Sequence, residues 1–152
     1  MNSNENTGMT LSGQLHIVLR DGNGKIKEQR VHENLIVTAG LTFICSRMKE
    51  DSETAMSHMA LGSGSTAVAA GDTDLATLLG SREAIDSATA STNTVVYLAS
   101  FEAGDATGAV VEAGVFNAST SGTMLCRTVF PVVNKAADDT MSVTWTITLT
   151  AS

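Results

Sequence analysis

Residues 141–150 alternate without a break: Met141, Val143, Trp145, Ile147 and Leu149 are apolar, while Ser142, Thr144, Thr146, Thr148 and Thr150 carry hydroxyls. Successive side chains of an extended chain point to opposite faces, whereas a helix would scatter these ten residues around its whole circumference. The segment is therefore a strand with one apolar and one hydroxylic face. Whatever fold contains it must supply a second layer to cover the apolar face, and an antiparallel sheet with one wet side fits best. The hydroxylic side reads as solvated, with contact to another subunit as the alternative.

The rest of the chain supports a fold of that kind. Residues 13–20 place Leu15, Ile17 and Leu19 on one side and His16 and Arg20 on the other. Asp21-Gly22-Asn23-Gly24 follows, and Gly and Asn tolerate the positive φ of a tight turn. Residues 26–32 return as a polar edge strand, which completes a hairpin. After the apolar run Asn34-Leu35-Ile36-Val37 the period changes. Leu41, Ile44, Cys45 and Met48 fall at helical spacing, with Thr42, Arg47 and Lys49 pointing away. Thr38 is the expected N-cap, and Arg47 and Lys49 suit the negative end of the helix dipole. Residues 50–54 are a polar connector.

Beyond it, residues 56–61 form a strand and Gly62-Ser63-Gly64-Ser65-Thr66 a flexible loop, which residues 67–71 extend. Residues 72–79 are expected to make one or two helical turns over the sheet. Residues 82–90 and 93–101 pair as strands, with Val95, Tyr97, Ala99 and Phe101 sharing a face. A turn at Gly104-Asp105-Ala106-Thr107-Gly108 leads to strands at 110–116 and 123–130, separated by the polar stretch 117–122. The sum is about eight strands and one short helix. We expect an all-β protein, an antiparallel β-sandwich or jelly roll over residues 13–152, preceded by a flexible N-terminal arm at residues 1–12.

Composition sets limits on what such a fold does. A chain of 152 residues with 43% hydrophobic residues buries one core, and no apolar run approaches the roughly 20 residues of a membrane span. The first ten residues lack the basic and apolar regions of a signal peptide. Only Pro131 stands against 13 glycines, which suits strands joined by glycine turns. Aromatics are 4% of the chain, so the core is expected to be built mainly from aliphatics and methionine and to draw some stability from neighbouring subunits. A net charge of −7 disfavours nucleic acid as a partner. That charge is uneven: residues 1–50 hold six Lys/Arg and five Asp/Glu, and the remainder three and eleven. Cys45 and Cys126 read as buried thiols; a disulfide between them is the less favoured alternative.

Catalytic patterns are not found. His16, His32 and His58 stand singly, without the spacing that brings two imidazoles to one metal. The Gly62 loop lacks the G-K-[ST] ending that meets a phosphate. Asp21, Asn23 and Lys25 begin like a calcium loop, but a lysine stands where an oxygen ligand belongs. Asp72 and Asp74 are explained by a helix N-terminus at least as well as by a cation. Glu102, Asp105 and Glu112 lie near turns or on strand faces expected to be exposed, and neither cysteine has a histidine close in sequence. No enzymatic activity, cofactor or metal is expected.

The order of several segments resembles a family of small structural proteins of tailed bacteriophages. Those segments are Asn34-Leu35-Ile36-Val37-Thr38-Ala39-Gly40-Leu41, Met56-Ser57-His58-Met59-Ala60-Leu61-Gly62-Ser63-Gly64, Glu112-Ala113-Gly114-Val115-Phe116-Asn117, Arg127-Thr128-Val129-Phe130-Pro131 and Trp145-Thr146-Ile147-Thr148. The resemblance implies location in the virion and an all-β fold, and it brings no catalytic residues. It leads to the expectation of a capsid decoration (cement) protein, a homo-oligomer bound to the major capsid protein or other virion proteins. A tail, neck or fibre-adaptor and receptor-binding role is the alternative, and a carbohydrate-binding module is the outside possibility. The least acidic part of the chain, Arg20, Lys25, Lys27 and Arg30, is expected to supply assembly contacts, together with the arm.

Overall fold

The computed structural model describes residues 8–49 and 52–151. Among these residues, ten strands and one helix run β1 (Met9–Arg20), β2 (Ile26–Glu33), β3 (Leu35–Ile36), α1 (Thr38–Met48), β4 (His58–Gly62), β5 (Glu83–Ala84), β6 (Ser87–Ser91), β7 (Thr94–Phe101), β8 (Gly108–Phe116), β9 (Met124–Lys135) and β10 (Thr140–Ala151). Two five-stranded sheets result, in the orders β2-β1-β10-β7-β6 and β3-β9-β8-β4-β5, and every pairing is antiparallel. This is an all-β sandwich.

The alternating strand is the centre of the first sheet. β10 pairs along its whole length with β1, so that Trp145 lies opposite Leu15 and Val143 opposite Ile17. On its other side Trp145 lies opposite Tyr97 and Met141 opposite Phe101. The inward side chains of these three strands meet Met59, Leu61, Val110, Val115 and Val133 of the second sheet in one core. Trp145, the single tryptophan, is fully buried, and its Nε1 donates to Asn34 Oδ1 at 3.0 Å.

The second sheet is buried on both faces. β8 and β9 each carry runs of consecutive buried residues, and a smaller cluster of Val37, Ala60, Phe116 and Met124 lies away from the main core, with Leu75 packed against it. A continuous buried run is what a strand covered on both sides should show. Here residues 63–82 supply the outer cover.

Several expectations change. The count among the described residues is ten strands because β3 and β5 have two residues each, which no periodicity can reveal. Residues 82–90 do not form one strand; β5 joins the second sheet through His58 and Met59, while β6 pairs with β7 in the first. The first strand begins at Met9, so residues 9–12, expected in the arm, are sheet, paired with residues 148–151 of β10. Residues 1–7 of that arm lie outside the described residues.

The helix differs more. Val37, not Thr38, is the N-cap, and no side chain caps it. Gly40 and Phe43 face the protein, whereas Leu41 and Met48 are 48% and 82% exposed and Cys45 is exposed. The helix docks through a narrow line to which Ile44 also belongs, packed half-buried against the core, so of the four apolar residues at helical spacing only Ile44 lies on the docked side. Cys126 is buried, and burial raises its thiol well above the usual range.

Candidate functional site

The largest concentration of buried polar chemistry is on the outer face of the second sheet. In the β8–β9 ladder Arg127 lies opposite Gly114 and Glu112 opposite Val129. The two long side chains therefore share one face, two residues apart, and meet diagonally. Arg127 Nε and Nη2 donate to Glu112 Oε2 at 2.9 and 2.8 Å. Glu112 is fully buried and Arg127 nearly so.

Both are saturated by the segment that covers them. Glu112 Oε1 accepts from the backbone N–H of Gly64 at 3.0 Å and of Thr77 at 2.8 Å, and Oε2 accepts from Ala76 at 3.0 Å. Arg127 Nη1 donates to Asp72 Oδ2 at 2.8 Å, and its Nη2 donates to the Thr66 carbonyl at 2.9 Å. A buried ion pair of this kind adds little net stability, since desolvation offsets the attraction. Its effect is to leave the covering chain one arrangement in which no charge is orphaned.

The glycines of the Gly62-Ser63-Gly64 turn make that approach possible. A Cβ on Gly62 would lie 2.5 Å from Glu112 Oε1 and 2.5 Å from the Thr77 carbonyl oxygen, and one on Gly64 would lie 2.6 Å from Oε1. The flexible loop expected here is instead a close contact, with Gly62 and Gly64 buried against the carboxylate.

A second arginine holds the far end. Arg82 stacks over the Phe116 ring, Cζ 3.6 Å from its centroid. Its Nη1 donates to the carbonyls of Ala118 and Ser121 at 3.0 and 2.6 Å, and Nη2 reaches Asp74 Oδ1 at 3.3 Å. Asp72 is held below the ordinary carboxylate range by the Ala69 backbone N–H and, against some desolvation, by Arg127. For Arg127, burial opposes the charge and the two carboxylates more than offset it. Residues 72–79 contain no helix, so these acidic side chains serve arginines rather than a helix terminus. Glu112, expected on an exposed strand face, is the least exposed carboxylate of the site.

Residues 63–82 thus form a long irregular segment fixed at both ends and in its middle. Irregular connections longer than about 12–15 residues are uncommon in compact domains and are usually either functional or linker segments; this one is packed and bonded along its length, unlike a linker. Its outward surface carries mostly small side chains, including Ser65, Ala67, Ala69 and Thr73, together with the 45%-exposed Leu78 and the exposed Asp74 carboxylate.

The basic residues expected at an interface are mostly committed within the chain. Lys27 pairs with Asp139 at 2.7 Å, Arg30 pairs with Glu28, and Arg20 Nη1 donates to the Gly24 carbonyl at 3.2 Å. Lys25, in the turn between β1 and β2, contributes its backbone N–H to Asp21 Oδ1. The structure brings all four to the β1–β2 hairpin and none to the clamped segment. The histidines stay apart: His16 faces outward on β1, His32 stacks on Phe130 at 5.6 Å, and His58 bonds Ser57 at 2.8 Å. Among the described residues no three His, Cys, Asp or Glu converge as metal ligands do, and no helix is long and apolar enough to cross a membrane.

Sequence reasoning missed the Glu112–Arg127 pair. The one signal was a charge set beside apolar residues in each of two strands, Val110-Val111-Glu112-Ala113 and Met124-Leu125-Cys126-Arg127, since unpaired charges are rarely buried.

Fold and site together define an antiparallel β-sandwich that presents a clamped outer loop. No family model, curated protein or solved structure matches this chain.

Proposed function

We propose that the chain is a non-catalytic structural protein of a tailed-bacteriophage virion, a capsid decoration protein that docks as a homo-oligomer on the major capsid protein. The observation that carries the docking role is the segment 63–82, held in one conformation by Glu112, Arg127 and Arg82. A loop ordered before binding loses little conformational entropy on contact, so a modest surface suffices for affinity. Its small side chains suit close approach of a flat partner surface. The outer face of the first sheet supports the same reading. Its central positions are Gln14, His16 and Val18 of β1, Ser142, Thr144, Thr146 and Thr148 of β10 and Val96 and Leu98 of β7, with no Asp, Glu, Lys or Arg among them in a chain of net charge −7. The bacteriophage assignment rests on the order of the segments around Leu35, Leu61, Val115, Val129 and Trp145.

The test is copy number in purified phage particles, measured by mass spectrometry and by electron microscopy of particles carrying a tagged copy. Hundreds of copies on the head are expected. A handful at the neck or tail would replace decoration by an adaptor role, and absence from particles would end the proposal. Ala69→Arg and Leu78→Glu should abolish binding to capsids without lowering the melting temperature.

A further inference from the structure

A cavity of about 320 Å³ lies between α1, β9 and the paired ends of β7 and β10. Phe43 and Ile44 of the helix, Leu125 of β9 and Leu149 of β10 are among its walls, and of its lining side chains only Arg47 and Tyr97 carry polar atoms. The volume falls at the lower end of the about 300–1,000 Å³ found for small-molecule sites. The space is open to solvent on the side of the exposed Met48, and its apolar walls favour an apolar guest over water.

The two polar side chains specify the other end of the guest. Arg47 brings a permanent cation, with Nη1 on the Glu53 carbonyl at 2.8 Å. The Tyr97 hydroxyl has no hydrogen-bond partner among the described residues, and burial raises its pKa to about 12, so it stays protonated and able to donate. A guanidinium donates only, and a protonated phenol in the same cavity adds a second donor. The complementary ligand has an apolar chain ending in acceptor oxygens.

We propose that this cavity binds a medium-chain fatty acid, with the acyl chain between α1 and the ends of β7 and β10 and the carboxylate on Arg47. The limited volume favours a medium over a long chain, and the cation selects the acid over the corresponding alcohol. The inference does not depend on the docking role of residues 63–82, which do not line this cavity.

Calorimetric titration of the full chain with decanoate, and separately with decanol, tests it. One decanoate should bind per chain below the concentration at which it forms micelles, about tenfold more tightly than decanol, a difference of the size of one charge-assisted hydrogen bond. Arg47→Gln should remove that preference and leave decanol binding unchanged. Ile44→Trp, which fills the cavity, should abolish binding of both, and Leu149→Phe serves the same purpose if the first variant does not fold. Lack of saturable decanoate binding, uptake only above the micelle concentration, equal affinity for acid and alcohol, or undiminished binding to a folded cavity-filled variant would each overturn the proposal.

Discussion

Arg127 and Glu112 form a two-bond ion pair across the β8–β9 ladder, and every remaining bond of the two groups goes to the segment that buries them. The pair and its cover are mutually dependent. Without residues 63–82 the charges would be wet, and without the charges the backbone N–H groups of Gly64, Ala76 and Thr77 would lose their acceptor.

Breaking one side of the pair should therefore cost more than the pair contributes. Arg127→Met and Glu112→Gln are each expected to lower stability by about 3–5 kcal/mol, because each leaves a buried charge or donor uncompensated. The double variant should fall short of the sum by about 1–3 kcal/mol, as residues in one network do. Urea denaturation measures the stabilities, and limited proteolysis should find new cleavage within residues 63–82.

The close approach at the Gly62 turn gives an independent handle. Gly62→Ala and Gly64→Ala should each cost about 1–3 kcal/mol through overpacking against Glu112. Gly71, in the same segment, has open space where a methyl group would go, with no atom within 4 Å. Gly71→Ala should stay within about 0.5 kcal/mol of the parent, as surface changes usually do. Thermal melts of the three variants side by side provide the check.

Two carboxylates set the acid limb of stability. Asp72 is held below its usual 3.8 by the Ala69 N–H and Arg127, and Asp139 by Lys27 and the Ala136 N–H. A carboxylate whose folded value is depressed binds protons more readily unfolded. Its contribution is complete above the unfolded value and is lost as the pH falls through the folded one. Stability should hold steady from neutral pH down to about pH 5 and fall below about pH 4. Asp72→Asn should flatten that fall while lowering the plateau, as read from urea midpoints across the acid-to-neutral range.

The single tryptophan reports on the main core. With Trp145 fully buried and bonded to Asn34, emission of the native protein should be blue-shifted and should move red on unfolding in one transition. Asn34→Ala leaves the indole N–H without its acceptor and should cost about 1–3 kcal/mol with the native emission still blue-shifted. Equilibrium unfolding followed by fluorescence separates a loss of stability from a loss of burial.

The long strands were legible because their physics is local. Leu15, Ile17 and Leu19, and Val95, Tyr97, Ala99 and Phe101, repeat every two residues, and a period of two has one structural meaning. The β1–β2 hairpin was legible from its glycine turn. The helix face was only partly legible: of Leu41, Ile44, Cys45 and Met48, which all satisfy the helical period, Ile44 alone packs against the core, while Gly40 and Phe43 are the buried positions.

The sequence by itself determined the layers of this protein: where the long strands run, which side of each is apolar, and that two sheets must face one another. Only the tertiary structure decided what becomes of its polar groups. Glu112 has the same neighbours in sequence whether it meets water or Arg127, and the residues that enclose it come from 35, 36 and 48 positions away. Alternation is set by the backbone of a single strand, but desolvation is set by what covers that strand, and the cover here is an irregular loop with no period to read.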